Sequence, residues 1–276
     1  MVHQVTTKKV KKQVAVDKYL ISIALILLFF AACLILTSCD DIPNVSNISN
    51  SSNAPETPTV SNTSNTTRVP SNPIEVTISG TISHTDYTPG ASGTVTFNRF
   101  PATVAEFKQV REQIGGEPHG AVALQLMAYE MYRRNKTTGN ECVRLNSVLN
   151  NVDLPIRRMN ELFHGNDAYY ARPYQIAAFL NDATPDNGYN PSKPYTVEVR
   201  VNKGLPYRYS QEYQTDVLYL EVLTKGKSTG AEGVQVLKTH KPGEPSNGKY
   251  FTVFSCGGLF SSVQAVSFTS PFKGLD

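Results

Sequence analysis

The chain has no tryptophan, only four cysteines and five histidines among 276 residues, and 18% charged side chains. Each shortage removes a class of function. A protein-held zinc ion needs three or four His, Cys or carboxylate ligands at set spacings. His84, His119, His164 and His240, the histidines beyond the N-terminal segment, include no two at such a spacing, and neither HExxH nor CxxC occurs. The expectation is no metal and no cofactor. The formal charge of +3 is equally uninformative, because Lys8, Lys9, Lys11, Lys12 and Lys18 precede residue 39, accompanied only by Asp17. The remainder carries 21 basic and 22 acidic side chains. A nearly neutral body has no field with which to hold a polyanion, so nucleic acid is not an expected partner.

What is present is sorted by region. The lysine-rich head is followed by an apolar run from Tyr19 to Leu36 and then by Leu36, Thr37, Ser38 and Cys39. This pattern resembles a bacterial lipoprotein signal peptide with its lipobox. The resemblance implies cleavage after residue 38, a diacylglyceryl thioether and palmitate-like acylation at Cys39, and a membrane partner reached through that lipid. An uncleaved membrane helix is the alternative, since about 18 apolar residues suffice to span a bilayer. In both readings the basic head stays cytoplasmic and the remainder is exported. The expected location is the cell membrane or the outer membrane, because Asp40 and Asp41 do not distinguish the two.

Residues 39–73 read as a tether. Ser, Asn, Thr and Pro make up 24 of the 31 positions from Pro43 to Pro73. So little apolar surface cannot offset the entropy of ordering the chain. As a coil this stretch spans roughly 30 Å.

Residues 74–276 read as one α+β domain. Ile74, Val76 and Ile78, then Val95 and Phe97, alternate as short strands leading in. Thr103 and Glu106 have capping-box spacing ahead of a helix that ends at Gly115-Gly116. Pro118–Arg134 is apolar around most of its circumference and reads as the most buried helix. A third helix is expected over Asn140–Leu149, a fourth from Asp153 with Pro155 in its first turn, and a short fifth piece over Pro173–Leu180. From Tyr195 the period changes to 2: Val197, Val199 and Val201 alternate, Asp216–Leu223 reads as a central strand, and further strands fall at Val234–Val236, Phe251–Val253 and Val263–Ala265. Helices followed by strands predict an N-terminal helical half packed on one face of a C-terminal antiparallel sheet.

Three runs, GAVALQLMAYEMYRRN (120–135), FLNDATPDNGYNPSKPYTVEV (179–199) and GKYFTVFSCGGLFSSV (248–263), resemble the blocks of an uncharacterised domain family found in exported bacterial lipoproteins. The resemblance covers residues 95–268 and implies a location and a fold class, with no catalytic residues to carry over. The ATPDNGYNPSKPY run has its own physical reading, a turn at Asp186-Asn187-Gly188 and a proline-stiffened entry to the next strand.

Two functional readings follow. Tyrosine is dense between residues 169 and 219, and Tyr189, Tyr195, Tyr207 and Tyr209 form a candidate surface for a glycan, a peptide or an envelope protein. A binding or interaction module without enzymatic activity is the favoured reading. The alternative is an envelope hydrolase acting on peptidoglycan or peptide, with Cys256 as nucleophile and His240 or His164 as base. Cys142 and Cys256 are also the one candidate disulfide of the mature domain, and the competing reading makes both small core hydrophobes. The tether yields a direct expectation: limited proteolysis of the mature chain cuts first between residues 43 and 73. First cuts beyond residue 100 contradict it.

Overall fold

In the computed structural model, which describes residues 72–166 and 170–275, alternating β-branched and small polar residues pair β1 (Val76–Gly80) with β2 (Ser92–Phe97) as a hairpin. Four helices follow: α1 (Val104–Ile114), α2 (Pro118–Arg134), α3 (Lys136–Asn146) and α4 (Asp153–His164). The chain then enters β3 (Tyr195–Val201), β4 (Tyr207–Ser210), β5 (Thr215–Leu223), β6 (Ala231–Leu237) and β7 (Thr252–Ser255). All seven strands form one antiparallel sheet in the order β1-β2-β3-β5-β6-β7, with β4 also paired to β5. The early hairpin therefore completes the sheet through the β2–β3 register, Val95 opposite Val197. This is an α+β fold with its helices packed against an antiparallel sheet.

Local chemistry sets the helix ends. Thr103 Oγ1 accepts the Glu106 N–H at 3.2 Å, and the Glu106 carboxylate accepts the Ala102 N–H at 2.7 Å while Arg99 donates to it at 2.7 Å. Helix α2 is buried from Pro118 to Tyr132 and packs on α1, α3, α4 and the inner face of the sheet, so an apolar circumference is what its position demands. Its one buried carboxylate, Glu130, is paired with Arg133 at 2.7 Å and Arg134 at 2.8 Å.

Three expectations need correction. The third helix begins at Lys136, ahead of Asn140, and ends at Asn146. Asn135 Oδ1 caps it by accepting the Thr138 N–H at 3.0 Å, and Gly139 lets it close on α2, where an added Cβ would lie 2.1 Å from the Tyr132 backbone. The expected fifth piece is only a 3-10 turn, Ala177–Phe179. No strand forms at Val263–Ala265. The Gln175 side chain captures that backbone instead, accepting the Val263 N–H at 3.2 Å and donating to the Leu259 and Ser261 carbonyls, both at 2.9 Å. Groups already satisfied by a side chain have no need of a ladder.

His119, in the first turn of α2, is fully buried with its ring against β2, where a Cβ on Gly93 would lie 2.7 Å from the imidazole. Burial depresses its pKa below the ordinary 6.5. Unfolding restores the ordinary value, so near and below pH 6.5 the unfolded chain binds a proton that the folded chain refuses. The stability contributed by neutral His119 is complete above about pH 6.5 and is lost as pH falls through the depressed folded value. Urea midpoints measured from pH 7 to 5 should fall less steeply for His119→Leu than for the natural chain; equal slopes overturn this assignment.

Candidate functional site

The four candidate tyrosines do not converge. Tyr195, in β3, lies between Phe97 and Phe100 at ring distances of 5.5 and 5.3 Å and is buried. Tyr189 stacks on Tyr174 at 5.0 Å, donates its hydroxyl to the Gln264 carbonyl at 2.8 Å and is equally buried. Neither presents a ring to a ligand, which corrects the sequence expectation for both. The turn around Tyr189 is tied together by Asn187, whose Oδ1 accepts the Thr184 and Asn190 N–H groups at 3.0 and 3.1 Å. Tyr207 and Tyr209 are exposed on β4, as their shared parity requires. Tyr207 stacks on Tyr87 at 3.7 Å, and the Tyr87 hydroxyl donates to Asp216. Burial and that carboxylate push the Tyr87 pKa up to about 12.

The two cysteines are free and buried, so the candidate disulfide is not formed. Cys142 sits in α3, and Cys256 directly follows β7, ahead of the 3-10 turn Gly257–Phe260. The Cys256 thiol meets the Tyr129 hydroxyl of α2 at 3.0 Å. Burial pushes both thiols up to about 12, so both are protonated at neutral pH. His164, the second proposed base, packs against Tyr132 and Phe163 in edge-to-face geometry, with ring distances of 6.2 and 6.3 Å. Among the described residues no three His, Cys, Asp or Glu side chains come together as metal ligands.

The concave surface lies where α4 and the turn before it face β7 and the segment beyond it. A hollow of about 500 Å³ is lined by Ser147, Asn150, Asn151, Gln235, Ser255 and Cys256, among others. A neighbouring hollow of about 670 Å³ shares Gly257 and Phe260 with it and extends to Arg158, Glu161, Asn166 and Tyr170. A third, of about 320 Å³, shares Phe254 with the first and reaches Arg208, Val217 and Tyr219 on the outer face of β4 and β5. Two phenylalanines therefore stand at the junctions of three hollows that follow one another.

The walls of this groove are fixed from behind. Gln125, buried in α2, accepts from Asn146 at 2.9 Å and from Ser147 at 3.4 Å, and Asn146 also donates to the Ala121 carbonyl at 2.9 Å. Chain after α3 is thereby drawn against the edge of the sheet. The Val148 N–H donates to the Val253 carbonyl at 3.0 Å, and Asn151 Nδ2 donates to the Phe254 carbonyl at 2.7 Å. On the outer face Phe254 packs with Val148, Tyr213, Val217 and Leu237. Gln235 and Ser255 are cross-strand partners on β6 and β7. Neither makes a side-chain hydrogen bond to another described residue.

Residues 99–267 match the model of a family described as a domain of unknown function, DUF6935. The chain belongs to this family. The match falls within residues 95–268, where the sequence resembled an uncharacterised domain. No curated protein and no solved structure matches the chain. Cys39 and the apolar run before it lie outside the described residues, among which no helix is long and apolar enough to cross a membrane.

Sequence reasoning missed Phe254, Phe260, Asn151 and Gln235. Each looks like an ordinary strand or turn residue, and only the docking of residues 147–151 on the edge of β7 makes them neighbours. The thiol geometry generates a test. In the unfolded, unreduced chain Cys142 and Cys256 should both titrate as free thiols, and native Cys256 should react with iodoacetamide at pH 8 about a thousandfold more slowly than a free cysteine. Rapid native labelling of Cys256, or fewer than two thiols, contradicts the arrangement.

Proposed function

We propose that the protein is a lipid-anchored component of the bacterial cell envelope, exported to the outer side of the cytoplasmic membrane or to the outer membrane, whose domain is a binding or interaction module. The anchoring half of this reading rests on the basic head, the Tyr19–Leu36 run and the Leu36–Cys39 motif. The observation that carries the binding half is the groove along α4 and β7, which offers hydrogen-bonding valences on Gln235 and Ser255 beside the rings of Phe254 and Phe260. Ligand sites commonly combine such apolar walls with a few placed polar groups.

The competing reading, an envelope hydrolase with Cys256 as nucleophile, draws on the presence of Cys256 in the lining of the same groove. Nucleophilic attack requires a thiolate held near an activating base. The buried, protonated thiol on Tyr129 supplies neither, which favours binding.

Anchoring is tested in a bacterial host by labelling with a fatty-acid analogue. The natural chain should take the label into the membrane fraction, and Cys39→Ala should lose it. Retained label in Cys39→Ala overturns the anchor.

A further inference from the structure

We infer that the groove receives a linear, uncharged glycan that crosses Phe254 and Phe260. The inference rests on the reading of the domain as a binding module and specifies its ligand class. Its first support is the sequence of hollows: neighbours share Phe254 at one junction and Gly257 with Phe260 at the other. A compact ligand fills one hollow, whereas a chain of similar units fills several and lies over the ring at each junction. The apolar C–H face of a pyranose suits an aromatic surface, and its hydroxyls suit amides and hydroxyls at the rim.

The second support is the chemistry of the walls. Asn150, Asn151, Gln235, Ser255 and Ser262 contribute neutral donors and acceptors. The charged residues lining the two larger hollows are compensated, Arg158 with Glu161 at 2.7 Å and Asp153 with Arg144 at 3.1 Å. In these two hollows a strongly charged polymer would have to break those pairs to find a partner; the smallest hollow presents one further charge, Arg208.

The third support separates a glycan from a peptide. An extended peptide is commonly bound by adding a strand to an open sheet edge, where main-chain hydrogen bonds supply the affinity. β7 is the last strand of the sheet, and its Val253 and Phe254 carbonyls are already occupied by the Val148 N–H and the Asn151 amide. The polar valences left in this wall belong to side chains such as Gln235 and Ser255, which suit a ligand rich in hydroxyl groups.

The test uses the full chain extracted in detergent and a panel of cellohexaose, maltohexaose, xylohexaose and hexa-N-acetylchitohexaose, each compared with its disaccharide by calorimetry. At least one hexasaccharide should bind, at least tenfold more tightly than its disaccharide. Phe260→Ala should weaken that binding at least tenfold. Ser255→Arg, at an exposed position that perturbs no core residue, should do the same with an unchanged melting temperature. Tyr207→Ala, outside the groove, should leave affinity unaltered. If no hexasaccharide binds while a pool of extended decapeptides does, in a manner abolished by Ser255→Arg, the glycan assignment falls and the binding module survives. Binding of neither ligand class overturns both, and hexasaccharide binding indifferent to Ser255→Arg and Phe260→Ala overturns the groove as its location.

Discussion

Burial of helix α2 on every side is the constraint on which the other elements depend. A helix with water on one face can be held by a single packing partner, but Pro118–Tyr132 is buried all round and needs a cover in each direction. The sheet supplies one side, and α1, α3 and α4 supply the others. Two close approaches make this possible: Gly93 under His119 and Gly139 against Tyr132. Three of the polar groups that α2 carries into the interior are matched individually, Glu130 by two arginines, Gln125 Oε1 by Asn146 and Tyr129 by Cys256. An unmatched charge at the position of Glu130 would cost several kcal/mol, about as much as a small domain has to spare.

The groove is a secondary product of that packing. Once α3 ends at Asn146 and its side chain is fixed on α2, the following residues have little freedom. Val148 bonds to the edge strand β7, Asn151 caps the next carbonyl, and α4 starts two residues later. The edge of the sheet is thereby protected against pairing with another chain. Concavity remains between α4 and the Gly257–Phe260 turn, where Gln175 fixes the backbone from Leu259 to Val263.

Cys256 illustrates how position outweighs residue type. A cysteine ahead of two glycines invites a nucleophile reading, since reactive thiols are often found where a helix begins. Here the turn is a single 3-10 segment, and the thiol faces the interior toward a hydroxyl whose own pKa burial raises well above 10. Both partners stay neutral and serve as a buried hydrogen-bonded pair between α2 and the end of β7.

Periodicity and punctuation in the sequence by themselves determined the α+β class, the limits of α1 and α2, the strand faces of β3 and β6, and the family-like blocks of the domain. These are local properties: a Thr103 cap, a Gly115 stop and a Val-x-Val-x-Val alternation act within a few residues of chain. Only the tertiary structure decided that β1 and β2 complete the sheet, that Tyr189 and Tyr195 are core residues while Tyr207 and Tyr209 are surface residues, and that Val263–Ala265 is not a strand. The physical reason is common to all three. Each depends on which distant group satisfies a backbone or ring, β3 for β2, Phe97 and Tyr174 for the tyrosines, Gln175 for Val263, across separations of 15 to 108 residues. No local pattern encodes such a partner, because it is the packing around α2 that brings the two ends of each contact together.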